Sequence, residues 1–116
     1  LTDSGLTLAG CHLYGIHLLL RAAPRAWLRE RGELRLAAAS ADIMAGDFNM
    51  WGPIVRRDAS DLRSPIRGRT FPASHPHSQI DHLLVSDRVE VLSGEVLDPM
   101  GSDHRALKAT LRARSA

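Results

Sequence analysis

The spacing of apolar and polar residues predicts the first two elements of the chain. Residues 6–20 are apolar and rich in leucine, with Gly10 and Gly15 as breaks, and this run predicts one or two core strands. Residues 22–39 then set apolar side chains among arginines and glutamates, which predicts a helix. Gly32 is expected to be the weak point or the end of that helix, because glycine is a poor helix former.

The middle of the chain combines one short apolar run with a long irregular segment. Residues 42–46 are mostly apolar and resemble a strand that is covered on both faces. Residues 50–78 hold four of the six prolines, which predicts a long loop with a short helix near residues 53–60. Loops of this length inside a compact domain usually carry function, so this segment is expected to contribute to a site.

Three runs of strand-forming residues complete the chain. Residues 79–86 and 89–97 are separated by Asp87 and Arg88, as in a hairpin. Residues 106–112 alternate apolar and polar side chains, which predicts a strand with one buried and one solvated face. The order of elements predicts an α/β or α+β fold with a largely antiparallel C-terminal sheet.

Length and composition limit the class of protein. A chain of 116 residues with 44% hydrophobic residues has the size of one domain or of part of one. Its single cysteine, Cys11, excludes an intrachain disulfide and suits a reducing compartment. The longest apolar run, residues 15–20, is far below the roughly 18 residues of a membrane span. Because no signal peptide begins the chain, its N-terminus resembles a cut edge, and the cytoplasm is the default location.

The charge of the chain is compatible with an anionic substrate. The net charge is +2 and the pI is about 9.3, and Lys108 is the sole lysine among many arginines. Arginine forks suit phosphate groups, but genomic base composition produces the same bias. The charge therefore permits a polyanionic substrate without establishing one.

Three polar clusters lie at the ends of predicted strands. They are Gly46-Asp47-Phe48-Asn49, Ile80-Asp81-His82 and Gly101-Ser102-Asp103-His104. Each cluster alone is equally compatible with a turn or with structural hydrogen bonds. Rigid strand ends are also where catalytic side chains are usually mounted, so the three clusters together define a candidate site.

With these motifs, the chain resembles the endonuclease/exonuclease/phosphatase superfamily, which has the DNase I-like fold. Two further segments also match the family pattern, namely Arg69-Thr70-Phe71-Pro72-Ala73 and His17-Leu18 with Arg25 eight residues later. The resemblance implies part of a four-layer α/β sandwich and a metal-dependent phosphoesterase. It leaves open whether the substrate is DNA, RNA, a lipid headgroup or a small phosphate ester.

The resemblance covers only the second half of the family domain. The family's early Asn and its metal-binding Glu have no counterpart here, so residues 1–116 are expected to be a single incomplete domain, the C-terminal half. One face of a sheet would then lack its partner, which predicts a missing N-terminal half or a homo-oligomer.

The resemblance also implies roles for residues around the reacting water. Asp47 would orient or deprotonate the attacking water, and Asn49 would donate its amide to a phosphate oxygen. His17 would be a further phosphate contact, although His12 also has the His-Leu form and only the spacing to Arg25 favours His17.

The remaining roles concern phosphate charge and metal. The resemblance implies that His104 contacts the phosphate while Asp81 holds it and keeps it cationic, as an Asp beside an imidazole does. Asp103 would bind or adjoin Mg²⁺ or Mn²⁺, which hard carboxylate oxygens prefer.

Other interpretations of the same residues remain. His75, His77 and His82 could form a zinc-binding module, and a chain without the family's Glu could be a truncated, non-catalytic module that binds phosphate or nucleic acid. Trp51 is expected to line a substrate cleft or to pack against its loop, whereas Trp27 is expected in the core of its helix.

Overall fold

The computed structural model describes residues 6–12 and 24–114. The elements in these ranges, in chain order, are β1 (Leu8–His12), α1 (Pro24–Ser40), β2 (Ile43–Asp47), α2 (Gly52–Asp58), β3 (Asp81–Val85), β4 (Val89–Val96) and β5 (Leu107–Ala113). Within the described ranges, neither helix has the length and apolar character that crossing a membrane requires. The element types predicted from the sequence are confirmed, and the second half of the predicted N-terminal strand region lies outside the described residues.

The helix α1 runs through Gly32 and continues to Ser40, so Gly32 is not its end. Pro24 begins the helix, where the missing amide hydrogen has no partner to lose. Leu34 and Ala38, four residues apart on one face, are both buried. This packing outweighs the low helix propensity of one glycine.

The first sheet has the strand order β1-β2-β3. β1 and β2 are parallel and are joined by the segment that contains α1, which is the connection that parallel strands need. β3 runs antiparallel to β2. The outer edge of β3 is covered at one point, because Arg63 and Val85 exchange backbone hydrogen bonds of 2.7 and 2.9 Å.

The second sheet consists of β4 and β5, which pair antiparallel with a register shift between Val91 and Ser93. The predicted hairpin between residues 79–86 and 89–97 is therefore wrong, since β3 pairs with β2 and β4 pairs with β5. Asp42 explains the change of sheet: its backbone carbonyl and its carboxylate accept hydrogen bonds from the amide and the hydroxyl of Ser86. This anchor holds the end of β3 at the first sheet while the chain crosses to the second.

The sheets and helices form three layers in the described residues, and two cores lie between them. One core joins α1 and α2 to the first sheet through Met44, Phe48 and Leu84. The other fills the space between the two sheets and includes Leu83 and Val85. Alternation along each strand thus sends even-numbered side chains of β2 and β3 toward the helices and odd-numbered ones toward the second sheet. An α/β fold with antiparallel pairing is confirmed.

Candidate active site

Two carboxylates face the space between the sheets at one end of the first sheet. Asp47 is the last residue of β2 and Asp81 is the first of β3, and the two are direct partners in the antiparallel register. Each follows the alternation of its strand, so both share a face with Ala45 and Leu83, which pack toward the second sheet. Two acidic side chains side by side repel each other, and this arrangement requires a nearby positive charge.

His104 comes to the same point from the other sheet, because it lies just before β5. Its position is fixed by backbone hydrogen bonds between its neighbours and the loop at residues 70–73. The amide of Ala73 donates to the carbonyl of Asp103 at 2.7 Å, and the amide of Arg105 donates to the carbonyl of Thr70 at 2.7 Å. The loop that the sequence predicted to carry function thus positions the imidazole.

The three side chains form a cluster, which we call the carboxylate-imidazole cluster (Asp47, Asp81 and His104). Nδ1 of His104 lies 2.7 Å from Oδ2 of Asp81, a hydrogen-bond distance. Nε2 lies 3.7 Å from Oδ2 of Asp47, which is too long for a direct hydrogen bond but is a separation that a bridging water or phosphate oxygen can span. Each side chain is partly exposed, with 16 to 26% of its surface accessible.

The electrostatics of the cluster favour the imidazolium form of His104. Burial of the ring by itself would lower the pKa of His104, but the hydrogen bond that Nδ1 donates to Asp81 and the charges of Asp81, Asp47 and Asp103 outweigh it. The pKa of His104 is therefore raised above its usual value. A cationic donor is then available near neutral pH between two carboxylates.

A tight turn places Asn49 beside the cluster. The amide of Asn49 donates to Oδ1 of Asp47 at 2.9 Å, and Asn49 has a φ of 49°, a left-handed conformation that asparagine tolerates better than most residues. Gly46 just before the turn has a φ of 149°, which residues with side chains rarely adopt. The positive φ angles at Gly46 and Asn49 thus explain why the first motif has glycine and asparagine at these positions.

His82 holds the far side of this turn. It is 1% exposed, its Nε2 donates to the carbonyl of Met50 at 2.9 Å, and its ring meets Phe48 edge-on at 5.2 Å. Burial lowers the pKa of His82 despite the opposing bond to Met50, so the ring is neutral at neutral pH. The neighbouring Asp81 and His82 therefore have different tasks, since one faces the site and the other anchors the loop.

An apolar cavity of about 460 Å³ extends from the cluster into the space between the sheets. Its walls include Leu83, Leu107 and Leu111, and the cluster residues lie at its polar end. Apolar surroundings strengthen the interaction of the cluster's charges with a bound anion or cation.

The cluster could also hold a metal ion. Within residues 6–12 and 24–114 it is the one group of three potential ligands, and one ligand atom from each lies within 4.8 Å of the other two. The carboxylate oxygens suit a divalent cation, whereas the imidazole of His104 could be a ligand only in its neutral form. Asp103 is exposed and lies outside this group, with its Oδ1 accepting a hydrogen bond of 3.4 Å from Ser102, so its predicted role as a metal ligand stays a prediction.

The remaining predicted site residues do not lie in the carboxylate-imidazole cluster. His17 lies outside the described residues, while the backbone of His12 ends β1 directly beside Asp47 in the parallel register. Trp51 lies just after the turn and is 51% exposed. The three histidines of the zinc alternative do not form a ligand group among the described residues, because His82 is buried and bonded while His75 and His77 are exposed.

Two residues of the site had no assigned role in the sequence. Thr70 is fully buried, and its hydroxyl accepts hydrogen bonds from the amides of Ile80 and Asp81 at 3.2 and 3.3 Å. Phe71 packs against His104, with ring centroids 4.9 Å apart. The proline-rich segment that contains them signalled a functional loop, but nothing in it showed which strand it would contact.

The fold and the cluster together define an α/β protein whose carboxylates and imidazole meet at the ends of strands from two packed sheets. A model of the Endonuclease/Exonuclease/phosphatase family matches residues 4–104, and the chain belongs to this family. The family unites endonucleases, exonucleases and phosphatases, which are hydrolases of phosphate esters.

A solved structure shows the same fold over a longer chain. It is described as a functionally unknown conserved protein from Enterococcus faecalis V583, and it superimposes with a TM-score of 0.60 at 21% sequence identity. The match covers 90% of the present chain and 49% of that structure, so the chain spans about half of its length. A search of curated proteins found no match.

Proposed function

We propose that this chain provides the water-activating and phosphate-binding half of a site that hydrolyses phosphate esters with a divalent metal ion. The observation that carries the proposal is the convergence of Asp47, Asp81 and His104 from two sheets onto one point. Hydrolysis of a phosphate ester needs a base for the water and positive donors for the phosphoryl oxygens. The cluster contains both.

In this proposal the side chains activate the water or bind the phosphate. Asp47 accepts the proton of the attacking water, and His104 donates from Nε2 to a non-bridging phosphate oxygen. Asp81 orients the imidazole through Nδ1 and keeps it charged. Asn49 and His17 donate further hydrogen bonds to the phosphate.

Asp103, together with carboxylate oxygens of the cluster, would hold Mg²⁺ or Mn²⁺. When bound, such an ion polarises the phosphoryl group and lowers the pKa of a coordinated water. The substrate is a phosphodiester or a phosphomonoester.

The test is hydrolysis of bis-p-nitrophenyl phosphate by the chain with magnesium, with manganese and with EDTA. We expect metal-dependent turnover that the Asp47→Asn variant reduces by at least about a hundredfold, because a positioned general base contributes on that order. Asp61→Asn is the matched control, since Asp61 is an exposed carboxylate outside the cluster. Equal rates for wild type and Asp47→Asn would refute the role of Asp47.

A second candidate function is binding of phosphate or nucleic acid without turnover. Two observations favour it. The ligand group in the described residues contains two aspartates and no glutamate, and the chain spans only about half of the solved structure. Salt-dependent binding of an oligonucleotide with no hydrolysis under any metal would select it.

A further inference from the structure

A second cleft lies beside the carboxylate-imidazole cluster and shares no residue with the cavity between the sheets. This cleft, which we call the Trp51 cleft, has a volume of about 490 Å³ and is lined by Trp51, Gly52, Pro53, Arg56, His77 and Gln79. One aromatic ring joins the two places: Phe71 lies 4.9 Å from the ring of His104 and 6.4 Å from that of His77. A ligand held at His104 therefore has the Trp51 cleft as its neighbour.

Trp51 is an exposed aromatic ring on a fixed backbone. Its neighbours Met50 and Gly52 are both buried, and the carbonyl of Met50 is held by His82. The carbonyl of Trp51 accepts hydrogen bonds from Ile54 and Val55 in the first turn of α2. The ring of Trp51 is half exposed and its backbone is fixed on both sides. Stacking on another flat group would therefore bury apolar surface without a change of the backbone.

Arg56 supplies a positive charge in the same cleft. Its guanidinium packs over Gly52, where a Cβ would lie 2.5 Å from Nη1, so a side chain at position 52 would push the guanidinium aside. Other arginines bond to internal carboxylates, as Arg31 does to Asp58, but no carboxylate bonds to Arg56 within the described ranges. A half-buried guanidinium group such as that of Arg56, which bonds to no carboxylate in the described residues, is suited to binding the phosphate of a ligand.

We infer that the Trp51 cleft binds the nucleotide adjoining the scissile phosphate, with its base stacked on Trp51 and its phosphate bonded to Arg56. The inference rests on the proposed function, because it takes His104 as the contact of the scissile phosphate. Successive nucleotides present a flat base and a phosphate at each step, and the cleft offers one partner for each. A volume of about 490 Å³ is also within the range of small-ligand sites.

The test compares binding of two labelled oligomers of equal charge, a pentathymidylate and an abasic deoxyribose-phosphate pentamer. Fluorescence anisotropy is read in EDTA at low salt, so the result depends on neither metal nor turnover. Wild type should bind the base-bearing oligomer on the order of tenfold more tightly than the abasic one. Trp51→Ala should remove this difference, and Trp51→Phe, which keeps a ring, should retain most of it.

Arg56→Gln should weaken the binding of both oligomers alike, because it removes a phosphate contact. Arg57→Gln is the matched control, since Arg57 is the adjacent, exposed arginine of α2 and does not line the cleft, and binding should stay within about twofold of wild type. The inference is overturned if wild type binds neither oligomer, if it does not prefer bases, or if the preference survives Trp51→Ala. Hydrolysis of bis-p-nitrophenyl phosphate tests the proposed function in a separate measurement, so a failure of the inference and a failure of the proposed function are distinguished.

Discussion

At the scale of single residues, Asp81 and His82 show how neighbours on a strand acquire opposite electrostatic tasks. Asp81 faces the second sheet and bonds to His104, which raises the pKa of that imidazole against the opposing effect of burial. His82 faces the helices, and burial lowers its pKa. The difference follows from the alternation of side chains along β3.

Replacing Asp81 with Asn should remove the carboxylate that keeps the imidazole of His104 protonated. The hydrogen bond to a charge is lost, so we expect the pKa of His104 to fall toward its ordinary value of 6.5. Phosphate-ester hydrolysis should fall about 10- to 100-fold, the usual effect of removing an orienting partner. An NMR titration of the histidine ring in metal-free buffer measures the first effect, with Asp61→Asn as control. A His104 pKa that does not move would show that Asp81 is not its main partner.

Replacing His82 with Leu should test the anchor of the loop. Leu keeps the apolar volume but leaves the carbonyl of Met50 without its donor, which should lower the free energy of unfolding by about 2 kcal/mol. Urea denaturation measures this loss.

The same variant should alter the pH dependence of stability. Because the folded pKa of His82 lies below the ordinary 6.5, the unfolded state binds the proton first, and wild-type stability falls as the pH drops below 6.5. The stability difference between wild type and His82→Leu should therefore shrink between about pH 7 and about pH 5. A constant difference would mean that His82 titrates normally in the folded protein.

At the scale of elements, α2 is held to α1 by a buried charge. The side chain of Asp58 has no accessible surface and accepts hydrogen bonds from Arg31 at 2.6 and 2.9 Å and from Arg35 at 3.0 and 3.2 Å. Burial alone would raise the pKa of Asp58, but the two guanidinium groups outweigh it and lower the pKa. This contact fixes the helix that follows the turn at Asn49.

Asp58→Asn should therefore destabilise the protein near neutral pH by roughly 2 kcal/mol. The value lies between those for buried and exposed ion pairs, because Arg31 is mostly buried whereas Arg35 is exposed. Since the folded pKa lies below 3.8, the stabilisation is present above that pH and is lost as the pH falls through the folded pKa. Urea denaturation at neutral and acid pH measures both effects. If Asp61→Asn lowers the free energy of unfolding by the same amount, the loss in Asp58→Asn does not come from the contact between Asp58 and α1.

At the scale of the whole molecule, the second sheet is too small to stand alone. It has two strands, and its inner face carries Val91, Leu107 and Leu111, which are only half-buried. Two-stranded sheets are marginal in water and expose unpaired edges. The apolar cavity between the sheets adds to this unfilled surface.

We expect the isolated 116-residue chain to associate with itself or to unfold at low concentration. Partly covered apolar faces gain about 25 cal/mol for each Å² that contact removes from water. Sedimentation equilibrium over a range of protein concentrations, together with calorimetry, measures both outcomes. A monomer that melts in one cooperative transition would contradict this expectation.

Much of the fold was predictable because it depends on local patterns. The apolar run at residues 42–46, the alternation at 106–112 and the helix after Pro24 all reappear as elements with nearly the predicted bounds. The family motifs likewise marked Asp47, Asp81 and His104 before any geometry was known. Short-range periodicity, and the positive φ angles that favour Gly46 and Asn49, depend on residues that are close together in the sequence.

Only the tertiary structure decided how these parts meet. The hairpin prediction failed because β3 pairs with β2, where Ser86 is bonded to Asp42, 44 residues away in the chain. The support of Asp81 by Thr70 and the meeting of Phe71 with His104 are likewise long-range contacts. Sequence alone thus marked the three residues of the cluster and determined which segments form strands or helices. The sheet partners, the distances within the cluster and the separate Trp51 cleft were decided by packing between segments far apart in the chain, which local patterns do not encode.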